Sequence, residues 1–175
     1  MKSKRNNSPG ESFKVLTRIE ARTLEAIADR IFPRTDTPGA VDAGAVNYID
    51  VALTGDYAQL VPLYRKGLRA VNRHARLKFS KKFSALDNDD KDAILLEFES
   101  GPIAGFKKAA EFFEMVRYHV LEGVFCEPQY GGNKDMIGWR LVEFPGQQSG
   151  YSDAYINKRV DLPLVAVNYP GTEKE

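Results

Sequence analysis

The run Phe106-Lys-Lys-Ala-Ala-Glu-Phe-Phe-Glu-Met-Val-Arg-Tyr-His-Val-Leu-Glu-Gly-Val124 decides the fold. Its apolar residues Phe106, Ala109, Phe113, Val116 and Val120 recur every three or four positions, and Phe112 and Leu121 widen the stripe. A stripe that broad belongs on a helix packed against several neighbours, so this stretch is expected to be the central helix. Gly101-Pro102 stands before it, and after Phe125 the helical period disappears.

The chain on either side completes an all-α pattern. Leu16-Thr-Arg-Ile-Glu20 has the form of a capping box, in which Thr17 accepts from the third helical amide and Glu20 reaches back to the cap amide. A helix should start there, bury Leu24, Ile27, Ala28 and Ile31, and stop before Pro33, which lacks an amide donor and restricts Phe32. Pro33 to Gly39 is turn chemistry, and Val46, Ile49 and Leu53 then mark a shorter helix ended by Thr54 and Gly55. Tyr57, Leu60, Tyr64, Leu68, Val71 and Ala75 suggest a third helix, with its regular part beginning near Pro62. Asp87-Asn-Asp-Asp90 favours the positive end of a fourth, carrying Ile94, Leu95 and Phe98. The expectation is a compact bundle of about five helices, followed by a long irregular segment that wraps on the body or on a partner.

The 175 residues, 43% hydrophobic and 11% aromatic, suffice for one core and are few for two ordinary domains. They divide into a flexible tail over 1–12, a helical domain with its wrapping loop over 13–150, and an extended tail over 151–175. With 25 basic and 24 acidic residues, no global field favours nucleic acid or an anionic surface. The local run Arg65, Lys66, Arg69, Arg73, Arg76, Lys78, Lys81 and Lys82 reads first as a solvated helix face and second as a contact for an acidic patch. No apolar run approaches the roughly 20 residues that span a bilayer, and Met1 to Gly10 lacks the apolar stretch of a signal peptide.

Catalytic and metal patterns are not apparent. His74 and His119 each sit inside an expected helix without the other members of a triad or metal site, so structural roles are the plainer reading. The acidic run from Asp87 has Lys91, Asp92 and Phe98 where a calcium loop needs a ligand, a glycine and a glutamate. Gly131-Gly132 is followed by neither the glycine nor the lysine of a phosphate loop. Acid pairs such as Glu122 with Glu127, or Asp135 with Glu143, are not distinguished from surface acids by spacing. Cys126 is the one cysteine, readable as an idle buried thiol or as a bond to another protein.

The most distinctive segment is Glu122 to Gly146, where glycines, prolines and aromatics concentrate around Trp139, the single tryptophan. Glycines allow sharp turns and close approach, while Tyr130, Trp139 and Phe144 offer rigid contact area. Such a loop either presents anchors to a partner or folds back on its own helices with Trp139 in the core.

Pro128-Gln-Tyr-Gly-Gly-Asn-Lys-Asp-Met-Ile-Gly-Trp139, followed by Phe144-Pro-Gly146, resembles the signature of the gluconate 2-dehydrogenase subunit 3 family. Leu16-Thr-x-x-Glu20, Ile31-Phe-Pro33, Thr37-Pro-Gly-Ala40, Ala43-Gly44, Tyr48-Ile-Asp50, Phe83 to Leu86 and Phe112-Phe113 agree with it, so the likeness spans roughly 13 to 150. The resemblance implies a small helical subunit that holds no cofactor. Its partner would be a large, FAD-bearing flavoprotein dehydrogenase of the glucose-methanol-choline type, with a cytochrome c subunit carrying haem c, or another acceptor, taking the electrons. It also implies a periplasmic complex acting on a sugar, sugar acid or glycoside, in which the small subunit supports folding, flavin loading, stability or export of the large one. The family's twin-arginine signal is missing from the start of this sequence, so the expectation is export by a partner or loss of a leader.

Residues assigned to the partner contact, or to the frame that holds it, are Cys126, Tyr130, Gly131, Gly132, Asn133, Trp139, Phe144, Pro145 and Gly146. For Cys126 the suggestion is a disulfide to the large subunit. The chief rival is an independent module closing over a sugar stacked on Trp139, and a third reading is a small enzyme using His119 with a neighbouring acid.

Overall fold

The computed structural model describes residues 13–146; the expected tails over 1–12 and 151–175 lie outside the described residues. Thr17 caps the first helix as its sequence demands: its hydroxyl accepts from the Glu20 amide at 3.3 Å, while the Thr17 amide donates to the Glu20 carboxylate at 2.9 Å. This helix, α1 (Arg18–Ile31), buries Leu24, Ile27 and Ala28 and ends at Phe32, ahead of Pro33. Gly44, at φ 70°, turns the chain into α2 (Ala45–Ala52). A short 3₁₀ turn, Ala58–Leu60, leads into α3 (Val61–Phe79), with Pro62 in its first turn where a missing amide costs nothing. Asp87 accepts from the Asp90 amide at 2.9 Å and opens α4 (Asn88–Ser100).

The central helix, α5 (Ala109–Phe125), starts three residues later than its apolar stripe suggests. Ile103 and Phe106 exchange backbone hydrogen bonds around Gly105, at φ 78°, and that turn excludes Phe106 from the helix. Phe106 still packs, with its ring 6.1 Å from Phe112 and 6.3 Å from Phe98. Helix α5 touches each of α1 to α4 as well as a sixth helix, α6 (Ile137–Leu141), which sequence periodicity did not reveal. Five residues are too few to show a helical period. Among the described residues the fold is therefore six α-helices with no strand, and the segment after Phe125 is partly helical instead of wholly irregular.

Where α2 crosses α5 the backbones meet: a Cβ on Gly123 would lie 2.8 Å from the Ala45 Cα. Around the crossing Ile49, Leu53, Tyr64, Leu68, Ile94, Phe98, Phe112 and Val116 are fully buried, each contributing roughly 1.5–3 kcal/mol of burial. Polar ties fix the periphery. Arg30 donates twice to Asp92, at 2.7 and 2.8 Å, joining α1 to α4, and Glu97 receives both His74, at 2.6 Å, and Lys78. Arg65, Lys66, Arg69, Arg73, Arg76, Lys78, Lys81 and Lys82 are all exposed, as on a solvated helix face.

Asp50 organises the chain entrance. Its carboxylate is buried on α2 and accepts from three successive amides, Lys14 at 2.6 Å, Val15 at 3.0 Å and Leu16 at 2.8 Å. Those amides precede the α1 cap, so one side chain on α2 sets the direction from which α1 begins.

Candidate partner surface and its groove

After α5 the chain doubles back over the helix it has just left. Pro128–Tyr130 forms a 3₁₀ turn, Gly131 at φ 91° reverses direction, and its carbonyl accepts from Asn47 of α2 at 2.7 Å. Gly132 then crosses the end of α5 so closely that a Cβ there would lie 2.2 Å from the Gly123 carbonyl oxygen.

Asn133 locks this crossing. It is fully buried with φ 43°, a conformation asparagine tolerates better than most residues, and its amide donates to the Gly123 carbonyl at 2.7 Å. Its side chain donates to the Cys126 carbonyl at 2.8 Å and accepts from the Gly138 amide at 2.8 Å. The same side chain thereby satisfies the end of α5 and the beginning of α6.

Trp139 faces its own protein. It is 5% exposed, its indole N–H donates to the Phe125 carbonyl at 2.9 Å, and the Phe144 ring meets it edge-on at 5.1 Å. Sugar stacking on Trp139 would require an open indole face, which this packing does not leave. Gly132, Asn133 and Trp139 are frame; Tyr130, 55% exposed, Phe144, 45% exposed, and Val142 lie open to solvent. Pro145 is half-buried and Gly146 buried at φ 79°.

Cys126 and Tyr130 also line a groove of about 730 Å³, walled by Tyr48, Val51 and Ala52 of α2, the turn from Thr54 to Tyr57, and Glu122 and Phe125 of α5. Tyr57 donates to the two Glu122 oxygens at 3.1 and 3.0 Å, and Tyr48 to one of them at 3.2 Å. Burial and the adjacent Glu122 carboxylate keep the Tyr48 and Tyr57 hydroxyls protonated well beyond neutral pH. Burial pushes the Cys126 thiol up to about 11, so at neutral pH little of the thiolate needed for disulfide exchange is present.

Behind the groove His119 is buried, stacked on Tyr57 at 4.2 Å, with its Nδ1 2.8 Å from the Tyr64 hydroxyl. The rings around it are Tyr57, Tyr64 and Tyr118, and Glu122 accepts from Tyr57, holding the stacked ring in place. Burial lowers the His119 pKa, opposed by Glu122. The folded state thus favours neutral imidazole, and the unfolded chain takes up the proton first below about 6.5. Stability from this group is complete above that pH and is lost as pH falls through the window beneath it. The thermal midpoint of the wild type should fall more between about pH 6.5 and 5 than that of His119→Gln, measured by calorimetry; equal slopes would assign the acid sensitivity elsewhere.

Sequence reading singled out Cys126 and Tyr130 but missed most of the groove. Tyr48 and Glu122 are 74 positions apart and Tyr57 and Glu122 65, so no local period links them. Glu122 and Glu127, weighed as a general acid and base, both line the groove, and the Glu122 oxygens are engaged by tyrosine hydroxyls.

A family model described as gluconate 2-dehydrogenase subunit 3 matches residues 18–146. No curated protein and no solved structure matches the chain.

Proposed function

Because the chain belongs to the gluconate 2-dehydrogenase subunit 3 family, we propose that it is the non-catalytic small subunit of a flavin-dependent dehydrogenase, holding the large flavoprotein subunit in its folded, cofactor-loaded form. The supporting observation is the segment after α5, a frame fixed by Asn133 and Trp139 that displays exposed Tyr130, Val142 and Phe144. A rigid frame presenting aromatic and apolar groups loses little entropy when a partner covers them. Selective binding to the loaded flavoprotein stabilises that form by mass action. In this reading FAD, and haem c where a cytochrome subunit is present, reside in the partners. The complex works at the periplasmic face of the inner membrane, reached on the partner's export signal; no described helix is long and apolar enough to cross a membrane.

Co-expression with a candidate flavoprotein dehydrogenase subunit from the same organism tests the reading. Copurification is expected, with flavin absorbance and dye reduction by the large subunit that fall when this chain is omitted. A flavoprotein that loads and reduces dye fully alone, with nothing copurifying, would refute it.

A further inference from the structure

The groove between α2 and α5 is acidic. Asp56 and Glu122 line it, and among the described residues that line it none is a lysine or arginine, although the chain as a whole is +1. A second surface cavity, beside α1, mixes Arg22 and Arg34 with Glu25, Asp29 and Asp42.

Two helix ends add to the imbalance. Both α2, ending at Ala52, and α5, ending at Phe125, bring their C-termini to the groove, and neither has a basic residue in its last turn. The carbonyls at a helix C-terminus carry partial negative charge and favour a cation. Here nothing among the lining residues supplies one.

The walls also define the shape of the cation. Tyr48, Tyr57, Phe125 and Tyr130 provide aromatic surface, and Glu122 is held in place by two tyrosine hydroxyls. A guanidinium can lie on aromatic faces while donating in its plane to a fixed carboxylate; a compact ammonium uses only the charge. Tyr130 lines the groove, is 55% exposed and belongs to the segment after α5.

We propose that this groove is the docking site for an arginine side chain of the flavoprotein subunit, received between Tyr48, Tyr57 and Tyr130 and paired with Glu122. The proposal rests on the accessory-subunit reading and assigns that contact its anchor. Asp56, exposed at the mouth, steers the approach, and Glu122, deeper in, makes the desolvated pair.

The test uses the copurified complex. Asp56→Lys reverses a charge on an exposed turn and should not disturb folding; Glu122→Gln keeps the shape and an acceptor oxygen for the tyrosines. Glu99→Lys, exposed on α4 and outside the groove, controls for net charge. Asp56→Lys and Glu122→Gln should each weaken association by about tenfold or more, with Glu99→Lys unchanged. A photo-crosslinker at Thr54 should capture a flavoprotein peptide containing arginine, whose replacement by alanine gives the same loss. Groove variants that bind like wild type, or a crosslinked peptide without a basic residue, would overturn the proposal and leave the accessory role standing. Failure of the wild-type chain to copurify would instead remove the accessory role, and the docking site with it.

Discussion

Gly138→Ala should detach α6 from the end of α5. A Cβ at position 138 would lie 2.0 Å from the Val124 carbonyl oxygen and 2.9 Å from its carbon, and both are backbone atoms of a buried helix. Neither can yield as a side-chain tip would, so α6 must move outward by about an ångström. That shift stretches the Gly138 amide away from Asn133 and the Trp139 indole away from the Phe125 carbonyl. Overpacking and two weakened buried hydrogen bonds together cost roughly 3 kcal/mol or more. Because Trp139 is the chain's single tryptophan, the movement has a direct optical readout. Its emission should shift to the red, and the thermal midpoint should fall by roughly 10 °C. Unchanged emission and midpoint would mean that the crossing is looser than its geometry. Since the altered segment also carries Tyr130 and Phe144, the proposed association with a flavoprotein subunit should weaken in parallel.

The second large effect is expected at Asp50. Asp50→Ala removes the acceptor of three consecutive amides, one of which, at Leu16, is buried. Hydrogen bonds to a charged acceptor are worth about 1.5–3 kcal/mol each and do not add fully, giving a loss of roughly 3–4 kcal/mol. Hydrogen exchange should accelerate first at Lys14, Val15 and Leu16, ahead of the body of α1, whose capping box is internal. Asp50→Asn keeps one oxygen in place for Val15 and Leu16 and should retain about half the stability. If exchange at these amides stays slow in Asp50→Ala, the entrance to α1 is held by packing alone.

These two sites show different degrees of legibility. The glycines and tryptophan between Gly131 and Trp139 stand out in the sequence because their spacing is unusual, and the family likeness rests on them. Their composition fits an outward-facing anchor as well as an inward-facing frame. The decision came from the Phe125 carbonyl, which engages the indole N–H from 14 residues away. Asp50 belongs to the Tyr48-Ile-Asp50 landmark, yet nothing local explains it: its three donors lie 34 to 36 residues earlier. The groove is less legible still, because α2, the turn at Tyr57 and the end of α5 contribute only a few residues each.

The sequence by itself determined the helical class, the capping box at Thr17, the stop before Pro33, Pro62 in a first turn and the central place of the Phe112–Val120 stripe. Those features depend on hydrogen bonds and periodicities within a few residues, which the order of side chains specifies directly. Only the tertiary structure decided that Trp139 turns inward, that Asn133 joins α5 to α6, that Asp50 gathers the entering chain, and that Tyr48, Tyr57 and Glu122 meet in one acidic groove. Each of those depends on where a helix end is placed by packing, and helix ends bring together groups whose separation along the chain carries no local signal.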